Sequence, residues 1–160
     1  MRTLISAVRR GMSLLYQEQF VVKDIAKKFD KVSRLICRLS EELYEMTLDL
    51  DVNSDLHPLD LNDKFTFALA STLDPNGAAG SEHYDPAWGT SSAPSLMDQY
   101  EYVMYGKIYK WKQDQPKAPI EVHVSFGGLL MRLKGDARHL QNLELDKRIY
   151  LLIRKISAAR

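Results

Sequence analysis

The stretch Val122 to Asp136, VHVSFGGLLMRLKGD, carries the clearest structural signal in the chain. Val122, Val124 and Phe126 alternate with His123 and Ser125, the period-two pattern of a strand with one face on a core. Gly127 and Gly128 then interrupt the pattern, and Leu129, Leu130, Met131 and Leu133 resume it in a changed phase. Two conformations account for paired glycines here. One is a bulge or sharp bend within a single strand, as at the corner of a small barrel. The other is the loop of an ordinary surface hairpin.

The flanking segments extend the β pattern in both directions. Upstream, Tyr100 to Trp111 (YEYVMYGKIYKW) holds five aromatics around Gly106 and is apolar on both faces, which predicts a centrally placed strand. The polar linker Pro116 to Pro119 separates it from the glycine-containing stretch. Downstream, Asp136 offers an N-cap for a helical turn through Leu140, and Ile149 to Ile156 (IYLLIRKI) predicts a last strand.

Nearer the N-terminus, Leu14 to Ile25 is rich in aromatic and β-branched residues and predicts a first strand. Val32, Leu35, Ile36, Leu39, Leu43 and Met46 follow, at helical spacing. A competing reading places Leu35, Cys37 and Leu39 on one strand face and a polar turn at Ser40, Glu41 and Glu42. Met46, Leu48, Leu50 and Val52 then alternate cleanly with Thr47, Asp49 and Asp51. Asp49, Asp51 and Asp55 lack the loop and glycine turn that calcium needs, so they predict a solvated acidic face. Leu56 to Asp63 contains Pro58 and reads as an edge or crossing segment, and Phe65, Phe67 and Leu69 form another alternating strand. It ends at a type I turn, Asp74-Pro75-Asn76-Gly77.

Residues 76–98 form the one long irregular stretch, rich in glycine, alanine, serine and proline. Tyr84 and Trp88 suit it to a compact Ω loop or an exposed anchor for a partner, and the composition favours partial disorder. Residues 1–11, with three arginines and no acid, read as an N-terminal extension to a single domain spanning 12–160. A transit peptide is the competing reading of those residues.

At 160 residues and 45% hydrophobic content, the chain has material for one domain with a genuine core. Its 22 basic and 21 acidic residues nearly cancel, so any nucleic-acid contact must be local rather than driven by net charge. No run of eighteen apolar residues occurs, which excludes a helical membrane span of ordinary length. The single cysteine, Cys37, excludes an internal disulfide and reads as a small buried hydrophobe. Eight or so short strands, one brief helix and no βαβ alternation point to an all-β barrel or sandwich.

Six segments, taken in order, resemble one family: KFDKVSRL (Lys28 to Leu35), LDLDVN (Leu48 to Asn53), LASTL (Leu69 to Leu73), DQYEYVMYGKIYK (Asp98 to Lys110), SFGGLLMRLKGD (Ser125 to Asp136) and YLLIRK (Tyr150 to Lys155). They are similar to the small subunit common to nuclear RNA polymerases I, II and III, over about Phe20 to Lys155. The resemblance implies an eight-stranded antiparallel barrel related to the oligonucleotide-binding (OB) fold, with a long Ω loop at about 76–98. It also implies that Val32 to Leu39 is a strand, against the helical spacing. Its functional implication is a non-catalytic subunit in the nucleus, nucleolus included, docked on the largest subunit. The chain departs from the family in residues 1–11 and in a loop with only Glu82 and Asp85 as acids between Gly77 and Met97.

No catalytic constellation stands out. His57, His83, His123 and His139 are scattered without metal-ligand spacing, and read as surface residues, with His123 turned to water. No nucleotide-binding, hydrolase or zinc motif occurs, and no cofactor is expected. Two surfaces are expected to carry contacts. For docking, the distinctive strands nominate Tyr102, Tyr105, Gly127, Gly128, Leu129, Leu130, Met131 and Arg132, with Arg148 a further polar contact. For single-stranded nucleic acid, Lys107, Tyr109, Lys110, Trp111 and Lys112 interleave cations with flat rings. The bland alternative there turns Tyr109 and Trp111 together to an inward or interface face, with the lysines at the rim. A free-standing single-stranded nucleic-acid-binding module is the competing functional reading.

Overall fold

A computed structural model describes residues 14–29, 31–41, 43–73 and 99–156. The N-terminal extension, the turn at 74–77, the 76–98 loop and His83 lie outside the described residues. Eight strands account for most of the remainder: β1 Leu14–Phe29, β2 Val32–Leu39, β3 Met46–Asn53, β4 Lys64–Ala70, β5 Tyr102–Gln113, β6 Ile120–Phe126, β7 Leu129–Gly135 and β8 Arg148–Lys155. One helical turn, α1 Ala137–Leu140, precedes β8. The strands close into a barrel in the order β1-β2-β3-β7-β6-β5-β8-β4, every neighbouring pair antiparallel. This is the all-β, eight-stranded, OB-like barrel that the family resemblance implied, and it decides between the barrel and the sandwich that the residue pattern left open.

The paired glycines resolve as a hairpin rather than a bend. Phe126 pairs with Leu129, and Gly127 and Gly128 have φ of 64° and 104°. Two consecutive left-handed residues make a tight turn whose twist matches its flanking strands, and glycine takes that conformation without a side-chain clash. Val122, Val124 and Phe126 point inward from β6, and Met131 and Leu133 from β7.

The ambiguous stretch after β1 is strand, not helix. Leu35 pairs with Leu50 and Cys37 with Leu48, so both partners put apolar side chains into the interior. A helix there would have carried Leu43 on its apolar face, yet Leu43 is 63% exposed in the turn before β3. Non-local ladder bonds outweigh local spacing here. β1 runs four residues longer at its C-terminal end than the sequence suggested. Register shifts at Val22/Asp24 and Lys27/Phe29 mark it as a bulged strand that pairs with β4 in its first half and β2 in its second.

The interior is apolar and close-packed. Phe20 and Phe67 meet edge-on at 5.5 Å between ring centroids, and Phe20 stacks on Phe65 at 6.2 Å. A second cluster covers the outside of β4 and β8, where Ala68, Ala70, Leu73 and Leu152 are fully buried beside Tyr150. β4 is therefore buried on both faces, where alternation had implied only one. The segment with Pro58 forms no strand; it crosses to β4 with Leu59 buried, and is tied to β1 where Val22 N donates to Asp63 O at 3.0 Å. Asp136 caps α1 by accepting from Arg138 N at 2.8 Å, as its position predicted.

Candidate docking and nucleic-acid surfaces

The β6–β7 turn projects Gly127 and Gly128 into solvent, with Leu129 and Leu130 half-buried behind them. Met131, one residue on, is 1% exposed and belongs to the core. Tyr102 is also interior. Its hydroxyl accepts from Asn53 N at 3.2 Å and lies 3.2 Å from Met104 Sδ, while its ring stacks on His57 at 5.5 Å. Tyr105 lies elsewhere, on the outer cluster, with its ring 4.7 Å from Tyr150. The eight docking candidates therefore divide into the four residues of the turn tip, Gly127 to Leu130, two core residues, Tyr102 and Met131, one ring on the outer cluster, Tyr105, and Arg132 on the outer face of β7.

Arg132 leads into a polar network along the outer face of β2, β3, β7 and β6. Arg34 meets Asp51 through two hydrogen bonds, 2.8 and 3.1 Å, and Leu130 N donates to the same carboxylate at 3.0 Å. Arg132 pairs with Asp49 at 2.8 Å and reaches Glu121 at 3.8 Å. Glu121 also contacts His123 Nε2 at 3.1 Å and Lys134 at 3.9 Å. Burial alone would push the Glu121 carboxyl up. The His123 hydrogen bond and the two cations outweigh that effect and hold it below the usual carboxylate range.

These contacts correct two expectations. The acidic face of β3 is not simply solvated: Asp51 is 1% exposed, because Arg34 and the β7 backbone close over it. Nor are the histidines ordinary surface residues. His57 is buried, with Nε2 3.1 Å from Glu101 and Nδ1 without a described partner. His139 stacks on Tyr44 at 3.7 Å, and His123 is held by Glu121. Cys37 is fully buried, and desolvation raises its thiol pKa, as a small hydrophobe's would be. Among the described residues, no group of three histidine, cysteine, aspartate or glutamate side chains is placed to hold a metal.

The second surface is the outer half of β5. Lys107, Tyr109, Lys110, Trp111 and Lys112 are all exposed, Tyr109 at 46% and Trp111 at 39%. A register shift between Ile108 and Lys110 separates the two rings. Lys110 pairs with His123 and Lys112 with Glu121 on the outer face, while Trp111 pairs with core-facing Val122. Tyr109 falls at the bulge, 5.9 Å from the His123 ring. The rings therefore do not share a face, because one inserted residue changes the side of everything after it. Other exposed apolar side chains, Leu56 at 72%, Leu61 at 53% and Leu145 at 50%, escaped the sequence reading altogether. Nothing local distinguishes them from core leucines.

Residues 17–155 match the family model described as RNA polymerase Rpb8. The chain is 45% identical over 147 residues to a Dictyostelium discoideum protein named DNA-directed RNA polymerases I, II, and III subunit rpabc3, covering 89% of this chain and 98% of the relative. It is 44% identical to an Arabidopsis thaliana protein named DNA-directed RNA polymerases II, IV and V subunit 8B, covering 89% and 97%. To the Saccharomyces cerevisiae subunit RPABC3 of polymerases I, II and III it is 37% identical, covering 88% and 97%.

Proposed function

We propose, from the premise that this chain belongs to the RNA polymerase Rpb8 family, that it is a small subunit shared by nuclear DNA-directed RNA polymerases I, II and III, carries no catalytic group of its own and docks on the largest subunit. The observation that carries this reading is the extent of the match. The match covers 89% of this chain and 98% of its amoebal relative, so the likeness extends beyond a shared module. On this reading the protein is expected in the nucleolus, with polymerase I, as well as in the nucleoplasm.

The β6–β7 tip suits docking. The two-glycine turn leads into β7 with Leu130 and Arg132 on its outer face, while Leu129, opposite Phe126, packs against the core and supports the tip. Tyr105 offers a second contact region on the β5–β8 side, while Tyr102 and Met131 support the surface from within. A tagged pull-down from nuclease-treated nuclear extract, with recovered chains identified by mass, tests the reading. Stoichiometric recovery of the large subunits of all three polymerases is the expected result. Recovery of the chain alone, carrying polynucleotide before nuclease treatment, would overturn it.

The competing single-stranded nucleic-acid reading keeps one supporting observation. Tyr109, Lys110 and Lys112 are exposed on the outer side of β5 with Lys107 nearby, giving one stacking ring among cations. Salt-sensitive oligonucleotide binding that weakens in Tyr109→Ala more than in Trp111→Ala is the pattern this arrangement requires.

A further inference from the structure

A groove of about 810 Å³ opens where the β2–β3 turn, the β5–β6 turn and the β7–α1 junction meet. Its floor depends on a close approach. Gly135 lies against Met46, and a Cβ at that position would stand 2.5 Å from the Met46 side chain and 2.9 Å from Glu45 O. Four cationic side chains line the walls, Arg38, Lys117, Lys134 and Arg138, against two carboxylates, Glu45 and Asp136. Arg138 already binds Asp136, at 3.2 Å. Arg38 and Lys117 have no carboxylate partner among the described residues, and Lys134 reaches only Glu121, at 3.9 Å.

The register gives this charge a spacing. Arg38 pairs with Thr47 and Thr47 with Lys134, so the two cations stand two strands apart on one outer rung with a neutral threonine between them. Two strand spacings are about 10 Å. A polyproline-II chain repeats every three residues, about 9 Å. Carboxylates at every third residue of such a peptide fall opposite Arg38 and Lys134 in turn.

We propose that this groove binds an extended acidic peptide segment of a partner protein, with carboxylates three residues apart. The lining argues against nucleic acid. Its one aromatic side chain, Tyr44, is already engaged, its ring stacked on His139 at 3.7 Å and its hydroxyl donating to Glu18 at 3.0 Å. No ring is left on which a base would stack. Glu45 and the floor beside it suit a peptide, whose carboxylates are spaced and whose intervening residues are neutral, better than a continuous phosphodiester. The inference rests on the groove alone and is tested on the isolated full-length chain.

The probe is a fluorescein-labelled peptide, EPLEPLEPL, read by anisotropy against a scrambled peptide of the same composition that clusters its glutamates. Saturable binding is expected, at least tenfold weaker for the scrambled peptide. It should be at least tenfold weaker again in the Arg38→Gln/Lys134→Gln variant. The charge-keeping Arg38→Lys/Lys134→Arg variant should retain it, and melting curves of both variants should overlay the parent's. Equal binding of the two peptides, or binding indifferent to Arg38→Gln/Lys134→Gln, overturns the proposal. So does a single-stranded poly-dT oligonucleotide that loses affinity in the same variant while the peptide fails to bind.

Discussion

The two faces of the sheet formed by β3, β7 and β6 are built on opposite rules. Inside, Leu48, Leu50, Val122, Val124 and Leu133 are 0% exposed and need only fit one another. Outside, Arg132 bridges Asp49 and Glu121, Glu121 also holds His123, and Asp51 is held separately by Arg34 of β2, with side-chain exposure running from 1% at Asp51 to 40% at Arg132 among these residues. Alternation along a strand distinguishes the apolar side from the polar one. It does not say that the polar side is wet, because a neighbouring strand supplies the partner that excludes water.

The largest effect belongs to the inner face. Leu133→Ala removes a fully buried side chain from a barrel whose walls are fixed by hydrogen-bonded closure, so the cavity will collapse only in part. A loss of about 3 kcal/mol is expected, read as a lower urea midpoint at constant m value. The outer face comes close to it at one position. Asp51→Ala strips Arg34 of two hydrogen bonds and Leu130 N of its acceptor. Breaking a fully buried pair costs about 3–5 kcal/mol. Arg34 is one-third exposed and recovers part of its hydration, so about 2 kcal/mol is expected here. An Asp51→Ala chain as stable as the parent would show that the outer face is solvated after all.

Acid sharpens the contrast, since the inner face has nothing to titrate. Glu121 has a folded pKa below its unfolded one, so the stability it contributes is complete above the unfolded value, about 4.3. It is lost as pH falls through the lower folded value. Glu101 behaves alike, with Lys155 N and His57 hydrogen-bonded to its carboxylate. Glu121→Gln is expected to lower the melting temperature in the neutral range, where the carboxylate's contribution is complete, and to converge on the parent as pH falls below about 4.3, so that its profile against pH is flatter.

How far the sequence carried this picture follows the same division. The alternation of β3 and of β6 was legible because one strand face is a local property. The Asp136 cap was legible for the same reason. Val32 to Leu39 was not, since its spacing suits a helix equally well and only pairing with Leu48 and Leu50 decides it. Family resemblance supplied that decision, as it chose the closed barrel over the sandwich, whereas the count of about eight strands was legible in the residues. Asp51, the bulge at Tyr109 and the packing of Gly135 on Met46 all depend on neighbours distant in the chain. No pattern within one strand encodes them. Among the docking candidates, turn chemistry identified the exposed tip, whereas the interior positions of Tyr102 and Met131 required the register.

The smallest expected change in stability is the most informative about function. Arg132 stands on the outer face with its side chain 40% exposed, and its strongest contact is Asp49 at 2.8 Å. Partly exposed pairs of this kind contribute about 0.5 kcal/mol, so Arg132→Ala should melt within a few degrees of the parent. A docking surface values such a side chain differently. A partner that covers Arg132 removes the water that now screens it, and an arginine enclosed at an interface carries far more of the binding energy than it does of folding. Arg132→Ala is therefore expected to fold normally yet recover less of the polymerase large subunits in the pull-down, with Lys112→Ala as the exposed control that loses nothing. Equal recovery from both variants would move the docking surface away from the β6–β7 tip and toward the Tyr105 side of β5.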